Sequence, residues 1–356
     1  GQVLMMSMDL SDSLLSTVRH AIEHRSPLQI NGGESKQFYG FPATAETDSL
    51  DMAAHQGVMD YSPDELVIRV RAGSRLSDIN RLLRDNGQML PFEPPGFSGE
   101  TTIGGVIASG LSGPRRPWAG SARDFVLGVT LITGQGEILE FGGQVMKNVA
   151  GYDVSRLVTG SLGTLGVILD VSLKVLPAPE LEVTRVIEIN RQDFQSFLRS
   201  IQRDIPLSAA SHQDGLLSLR LSGSEAAVEA ARKITGGEET GNHGWDQLNK
   251  LACFADIDNL WRISLAPASS LFLDEALLID WGGGIRWLAD PGYDPREVLT
   301  GEDGHATLMK YDAEMLASGI DIFQPLSEPL LGIHQRLKHQ FDPAGIFNPG
   351  RMYRDI

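Results

Sequence analysis

The sequence predicts an α+β protein of two domains, on three observations. Before residue 178, helical stripes interleave with short apolar strands. The prolines Pro177 and Pro179 then interrupt the pattern, and beyond them the strands suit an antiparallel sheet. The expected boundaries are 1–178 for a first domain, 179–327 for a second, smaller one, and 328–356 for a segment that returns to the first.

Each element has a local reason. Leu14, Leu15, Val18 and Ile22 form a helical stripe behind a cap at Ser11 or Asp12, and Pro27 stops it. A short strand, 28–30, runs into Asn31-Gly32-Gly33. A second strand at 66–70 leads to a helix capped near Ser74, with Leu76, Ile79, Leu82 and Leu83 on one face and Gly87 closing it. To this point the pattern is α/β. A hairpin follows, strand 125–132, turn Thr133-Gly134-Gln135-Gly136, strand 138–141. Between 167 and 175 apolar residues alternate with Asp170, Ser172 and Lys174, which predicts a half-buried strand. The second domain reads as strand 181–189, a helix carrying Phe194, Phe197, Leu198 and Ile201, strand 216–221, and helix 225–234 ended by Gly236-Gly237. Shorter strands follow near 261–265, 277–281 and 285–288, and a last helix at about 329–341.

Composition narrows the chemistry. The 356 residues carry 30 Lys and Arg against 46 Asp and Glu, a formal charge of -16, with 42% hydrophobic residues. Such a chain has ample core, and its charge opposes binding to nucleic-acid phosphates. The single cysteine, Cys253, excludes an internal disulfide, a cysteine-ligated iron–sulfur cluster and a CxxCH haem attachment. No run nears the roughly 20 apolar residues of a membrane span; the most apolar, 162–176, is interrupted by Asp170 and Lys174. The first ten residues lack the basic start and long apolar core of a signal peptide, so a cytoplasmic location is expected.

Glycine is crowded where function is expected: 16 of the 39 fall between Gly96 and Gly166. Neither common phosphate loop is present. There is no GxxxxGK[ST], and no GxGxxG opening a helix after a strand; Gly160, Gly163 and Gly166 are spaced by three and precede a strand. Three separated loops remain, Asn31-Gly32-Gly33-Glu34-Ser35-Lys36, Thr101-Thr102-Ile103-Gly104-Gly105 running to Ser109-Gly110, and Gly160-Ser161-Leu162-Gly163-Thr164-Leu165-Gly166. Successive N–H groups in such turns form concave nests that hold anions, so a diphosphate could be gripped by backbone dipoles within an acidic chain.

In order and surroundings these loops resemble the FAD-binding domain of the vanillyl-alcohol oxidase and p-cresol methylhydroxylase type. The tail Asp342-Pro343-Ala344-Gly345-Ile346-Phe347-Asn348-Pro349-Gly350-Arg351 is similar to that of FAD-linked 2-hydroxy-acid oxidases. Four stretches resemble, more narrowly, the flavin-binding E subunits of bacterial glycolate oxidases. They are Gly113-Pro114-Arg115-Arg116-Pro117-Trp118, Arg123-Asp124-Phe125-Val126-Leu127-Gly128, Val145-Met146-Lys147-Asn148-Val149-Ala150-Gly151-Tyr152-Asp153 and Ile279-Asp280-Trp281-Gly282-Gly283. The resemblance implies a two-subdomain FAD-binding domain and a smaller α+β cap domain with an antiparallel sheet. It implies bound FAD, with the diphosphate near the first two loops and the adenine end near 160–168. The implied contacts are Asn31, Gly32, Gly33, Glu34, Ser35, Lys36, Pro95, Thr101, Thr102, Gly104, Gly105, Ala108, Ser109, Gly110, Ser121, Gly160, Gly163, Thr164, Gly166, Val167, Ile168, Asn348 and Arg351. Neither histidine nor cysteine occurs in the first loop or in 96–166, so the FAD is expected to be noncovalent.

Oxidation of a 2-hydroxy acid requires a cation for the carboxylate and a base for the hydroxyl proton. Arg115 and Arg116, together with Arg262 and Arg286, are the candidate cations, and His305 is the candidate base. The metal-binding histidines of related lactate and hydroxyglutarate dehydrogenases have no counterpart, so no metal is expected. The resemblance implies a complex with a second flavin subunit and an iron–sulfur subunit, which take the electrons to a quinone-like acceptor, at the inner membrane if the partners sit there. Two other readings stay open: a scaffold subunit, with FAD or with an empty remnant of its site, that has no substrate chemistry of its own, and a self-sufficient flavin 2-hydroxy-acid dehydrogenase.

Overall fold

The computed structural model describes residues 7–44, 46–143, 149–299 and 304–356, and the side chains of all of these but 149–152. The chain divides into two compact units. One gathers Gly1–Ser112, Ser121–Pro177 and Pro325–Ile356; the other gathers Gly113–Gly120 and Ala178–Gln324. The short stretch Gly113–Gly120, which lies within the first domain in sequence, thus groups with the second unit.

The first unit is built on a five-stranded sheet in the spatial order Val58–Ser62, Val67–Arg71, Val167–Lys174, Val126–Ile132, Ile138–Gly142. Every pairing in it is antiparallel, so the α/β texture of the opening residues does not produce a parallel sheet there. A separate two-stranded parallel pair joins Leu28–Asn31 to Asp48–Asp51. Ile68, Val70, Val129, Leu131, Val171 and Leu173 of the sheet pack with Ile79 and Leu83 of the helix Leu76–Asp85 and with Ile103 and Ile107 of the helix Ile103–Ser109. Each such side chain contributes roughly 1.5–3 kcal/mol by leaving water.

The central strand Val167–Lys174 is buried on both faces up to Lys174, where alternation predicted one wet face. Asp170 is tolerated inside because Arg69 Nε donates to it at 2.8 Å and the Thr130 hydroxyl at 3.0 Å. The first helix, Ser11–His24, buries Leu14, Val18 and Ala21. Its N-cap position is Leu10, rather than Ser11 or Asp12, with no side-chain cap bond, and the Ser11 N–H donates to Asp9 Oδ1 at 2.9 Å. Next to it His55, fully buried, accepts the Leu10 N–H at Nδ1 (3.0 Å). Burial holds this imidazole below its ordinary 6.5 against the opposing pull of Asp9.

The C-terminal segment returns to this core. Leu28 N donates to Ile346 O at 2.7 Å, and Ile346 and Phe347 are fully buried. Lys338, near the end of the helix Glu328–Phe341, donates to Asp342 (2.7 Å), Thr164 O (2.8 Å) and Phe347 O (2.7 Å). Asp342 in turn accepts from the N–H groups of Ile346 and Phe347. The turn 342–348 is thereby fixed.

The second unit is one eight-stranded antiparallel sheet. Its order is Glu238–Thr240, Leu181–Glu188, Leu216–Gly223, Leu207–Gln213, Leu278–Asp280, Ile285–Ala289, Leu260–Leu265, Gly304–Lys310. The strands at 181–188, 216–223, 260–265, 278–280 and 285–289 and the helices at 194–201 and 225–235 lie where the sequence predicts them. The strands Leu207–Gln213, Glu238–Thr240 and Gly304–Lys310 are additional.

Candidate functional site

Four stretches far apart in sequence meet in the first unit around a solvent-open cleft. The first is the turn that leaves the strand Leu28–Asn31. Its glycines allow it to lie directly on the second loop: a Cβ at Gly33 would stand 1.7 Å from Glu100 O, and one at Gly32 would stand 2.3 Å from Thr102 Oγ1. The Thr101 hydroxyl donates to Ser35 Oγ at 2.9 Å across the same seam. The second and third loops are joined by Gly160 N to Ile107 O and Leu162 N to Ala108 O, both 2.9 Å.

The tail closes the ring. Asn348 accepts the Ile30 N–H at Oδ1 (2.8 Å) and donates from Nδ2 to Leu162 O (2.7 Å), stapling the first loop to the third. Arg351 donates to the carbonyls of Lys36 (3.0 Å), Gln37 (3.1 Å) and Phe41 (2.6 Å), which fixes the far end of the first loop.

The donor groups are unequally disposed. In the helix Ile103–Ser109 the first amides are already used, by Ser74 O, Ala72 O and the Thr102 hydroxyl. In the first loop, by contrast, no acceptor within the described residues meets the successive N–H groups of Gly32, Gly33, Glu34, Ser35 and Lys36. Glu34 carries a left-handed φ of 53°, as nest-forming turns do. Lys36 also lines the cleft, and burial pulls its amine from 10.5 down to about 8. An acceptor-rich dianion fits a wall made of donors and one amine, so these residues suit the diphosphate of a dinucleotide such as FAD. Lys36, expected there as a residue of the first loop, thus brings an amine to the lining besides the backbone donors.

Of the residues expected at the cofactor, Asn31, Gly32, Gly33, Glu34, Ser35, Lys36, Thr102, Gly104, Gly105, Ala108, Ser109, Gly163, Gly166, Ile168, Asn348 and Arg351 line this cleft. The others do not. Thr101 stands behind Ser35, the Thr164 hydroxyl donates to Ser161 O, and Val167 belongs to the core. Gly110 packs against Gly160, Ser121 caps the helix Ala122–Phe125, and Pro95 is buried outside the lining. Gln29, Ile30, Gln37, Met52, Ala72 and Leu162 line it without having been expected. Gln29, Ile30, Gln37 and Leu162 adjoin or fall within the Gly-rich loops; Met52 and Ala72 carry no local signal. Of the motif 145–153, residues 145–148 lie outside the described residues.

The candidate catalytic side chains all fall in the second unit; Arg262 and His305 lie on neighbouring strands, close enough for Arg262 to act on the imidazole, while Arg115, Arg116 and Arg286 do not join them. Arg115 is buried and its Nη2 donates to Glu182 at 2.6 Å. Burial pushes the Glu182 carboxyl up, but Arg220, the Ser222 hydroxyl and Arg115 outweigh it and hold the group below its ordinary range. The Arg116 guanidinium lies 4.8 Å above the Trp281 ring. His305 opposes Ser264, which opposes Ile285, which opposes Asp280, the neighbour of Trp281. Three strand spacings, roughly 14 Å, therefore separate His305 from the Arg116 end of the row. Desolvation and Arg262 hold the His305 imidazole below its usual value. Arg286 is fully buried and donates to Leu271 O, Ser269 O (2.7 Å) and Pro267 O (3.3 Å), a fastening for the loop 267–271.

Among the described residues, no three His, Cys, Asp or Glu side chains are grouped to hold a metal ion. None of their helices is long and apolar enough to cross a membrane.

Comparison with known proteins agrees with the cleft. The FAD binding domain family matches residues 9–142. The chain is 46% identical to the glycolate oxidase subunit GlcE of Escherichia coli, over 99% of this chain and 100% of that one. It is 27% identical to D-lactate dehydrogenase of Anaerostipes hadrus over 50% of this chain and 37% of that one. With the glycolate oxidase subunit GlcD of Bacillus subtilis it is 31% identical, over 46% and 34%. Among solved structures, an alkyldihydroxyacetonephosphate synthase superposes with a TM-score of 0.65 at 16% identity, covering 95% of this chain and 74% of that one. A carbohydrate oxidase from Microdochium nivale superposes at 0.64 and 14%, covering 98% and 91%; both likenesses concern the fold. With three loops and the tail meeting around one cleft and a full-length relative at this identity, the chain belongs to the FAD-binding oxidoreductase family of the glycolate oxidase subunit GlcE.

Proposed function

We propose that the chain is the FAD-binding subunit of a multi-subunit glycolate dehydrogenase, which oxidises glycolate to glyoxylate and passes the electrons through partner subunits to a quinone-like acceptor. The observation that carries this reading is the cleft with its five unmet N–H groups and its amine, matched to a full-length relative named as a glycolate oxidase subunit. Bound noncovalently, FAD supplies the two-electron acceptor for the Cα–H of a 2-hydroxy acid. The first loop would hold the diphosphate through the N–H groups of 32–36 and Lys36. Thr102, Gly104, Gly105 and Ala108 would form the wall beside it, and Gly163, Gly166 and Ile168 the wall towards the adenine. Asn348 and Arg351 would act through the loops they fasten. With one cysteine the chain cannot ligate an iron–sulfur cluster, so electrons leave through a second flavin subunit and an iron–sulfur subunit. Such partners would also account for any peripheral attachment to the inner membrane.

One observation favours a second reading, in which the chain binds FAD but the substrate chemistry belongs to the partner. Arg115 is engaged by Glu182, and Arg116 stands about three strands from His305, so neither arginine of the 113–118 motif stands beside the candidate base, which has only Arg262 of the candidate cations near it. Anaerobic addition of glycolate to the purified chain, with and without its co-purified partners, separates the readings. Bleaching of the flavin only in the complex supports the proposal when the chain's own FAD is reduced, and the scaffold reading when only the partner's is. Bleaching in the lone chain indicates a self-sufficient dehydrogenase. A chain that takes up no FAD refutes every reading in which it carries flavin and supports a flavin-free scaffold.

A further inference from the structure

Lys36 is the unusual side chain of the cleft. Its backbone is fixed, since its carbonyl accepts from Arg351 Nη2 (3.0 Å) and from Tyr39 N (3.0 Å). Its amine, by contrast, has no hydrogen-bond or ion-pair partner among the described residues, and it reaches within 3.6 Å of where a Cβ on Gly105 would stand. The amine therefore spans from the first loop to the second, across the mouth of the donor nest.

The other ionisable groups lining the cleft are Glu34, exposed on the same loop, and Arg351, whose guanidinium is committed to three carbonyls. The helix Ile103–Ser109 and the loop 160–166 contain no ionisable residue. Glu100, on the approach to the second loop, is paired with Arg75, and Asp170, on the strand behind Ile168, with Arg69. In a chain of charge -16, Lys36 is thus, among the described residues, the one cation of the lining left for an incoming diphosphate to recruit.

We propose that Lys36 is the counter-charge of the flavin diphosphate and that it links cofactor uptake to proton uptake, so that the subunit loads FAD near neutral pH and loosens it in alkali. This rests on the cleft being the FAD site. Burial without a neighbouring charge brings the amine of the empty cleft to about 8, and a dianion beside it restores the charged form. Below about pH 8 the amine is already charged and binding moves no proton. Above it the empty amine is neutral, binding must take up a proton, and affinity falls by about tenfold per pH unit until the loaded amine also titrates.

The test uses the deflavinated full chain. FAD binding is followed by flavin fluorescence from pH 6.5 to 9.5, and proton uptake by calorimetry in two buffers of different ionisation enthalpy. Expected for the unaltered chain are about 0.1 proton at pH 7, about 0.75 at pH 8.5 and the matching alkaline fall in affinity. Lys36→Met should bind about 10- to 100-fold more weakly at pH 7, with no alkaline fall, since a charge-assisted contact is lost. Lys36→Arg, charged throughout the range, should also lose the pH dependence while keeping most of the affinity at pH 7. FAD binding by the unaltered chain without proton uptake at pH 8.5 would overturn this inference alone, as would an alkaline fall that persists in Lys36→Met. If Lys36→Met does not fold, the proton count of the unaltered chain decides. A chain that takes up no FAD at any pH would overturn the cofactor reading as well.

Discussion

The substitution Gly33→Ala puts a methyl carbon 1.7 Å from Glu100 O and 3.0 Å from Thr101 N, where ordinary contacts begin at 3.4 Å. Both neighbours are backbone, so no rotamer change relieves the overlap. The first loop must withdraw from the second by roughly 1.5 Å, a displacement that a hydrogen bond does not survive. The 2.9 Å bond from Thr101 to Ser35 is lost, and the N–H groups of 32–36 no longer converge on one point. If two of them cease to reach the diphosphate, at about 1.5–3 kcal/mol for each bond to a charged group, FAD binding weakens by roughly 3–6 kcal/mol, at least a hundredfold. Gly99→Ala is the control: a Cβ there meets nothing within 4 Å and the backbone is not left-handed. Flavin fluorescence titration of both variants reads the difference, and thermal unfolding of the cofactor-free proteins confirms that each still folds, since neither glycine belongs to the hydrophobic core. A folded Gly33→Ala protein that binds FAD within threefold of the unaltered chain would refute the assignment of the first loop to the diphosphate.

Asn348→Ala removes both arms of the staple and leaves the Ile30 N–H and the Leu162 carbonyl without partners, a loss of about 2–4 kcal/mol in urea unfolding. An unchanged urea midpoint would show that the staple does not hold the loops. His55 provides an acid-side prediction. Its folded pKa lies below 6.5, so its contribution is complete above pH 6.5 and is lost as the pH falls from there through the folded value. The urea midpoint of the unaltered chain should therefore drop between pH 7 and 5 more steeply than that of His55→Gln, and parallel slopes would remove His55 from the account.

What the sequence discloses and what it hides have different physical origins. The three glycine-rich loops are visible because close backbone approach demands glycine, and Gly33 shows the demand at 1.7 Å. The hairpin 126–142 is visible because its turn residues and its apolar strands are adjacent in the chain. The burial of Asp170 is not visible: alternation alone marks it as wet, and the arginine that satisfies it is 101 residues away. The strand Leu207–Gln213, read as Leu-Ser-Ala-Ala-Ser-His-Gln, lacks β-branched residues and exists because it is paired on both sides. Lys36 belongs to a legible loop, but that its amine lacks a partner among the described residues and faces Gly105 is a property of packing, which no spacing rule reports. The same holds for Arg115, whose engagement by Glu182 crosses 67 residues.

The tail stapled by Asn348 has a consequence for biosynthesis. The first loop and the Gly160–Gly166 turn emerge early, yet the residue that fastens them is made roughly 170 positions after Pro177, a delay of about 9–35 s at ordinary elongation rates. During that interval the nascent cleft stands unlatched while residues Ala178–Gln324 of the second unit are translated. Termination just before Asn348 would yield a chain with nearly all its mass and a cleft whose first and third loops are never stapled.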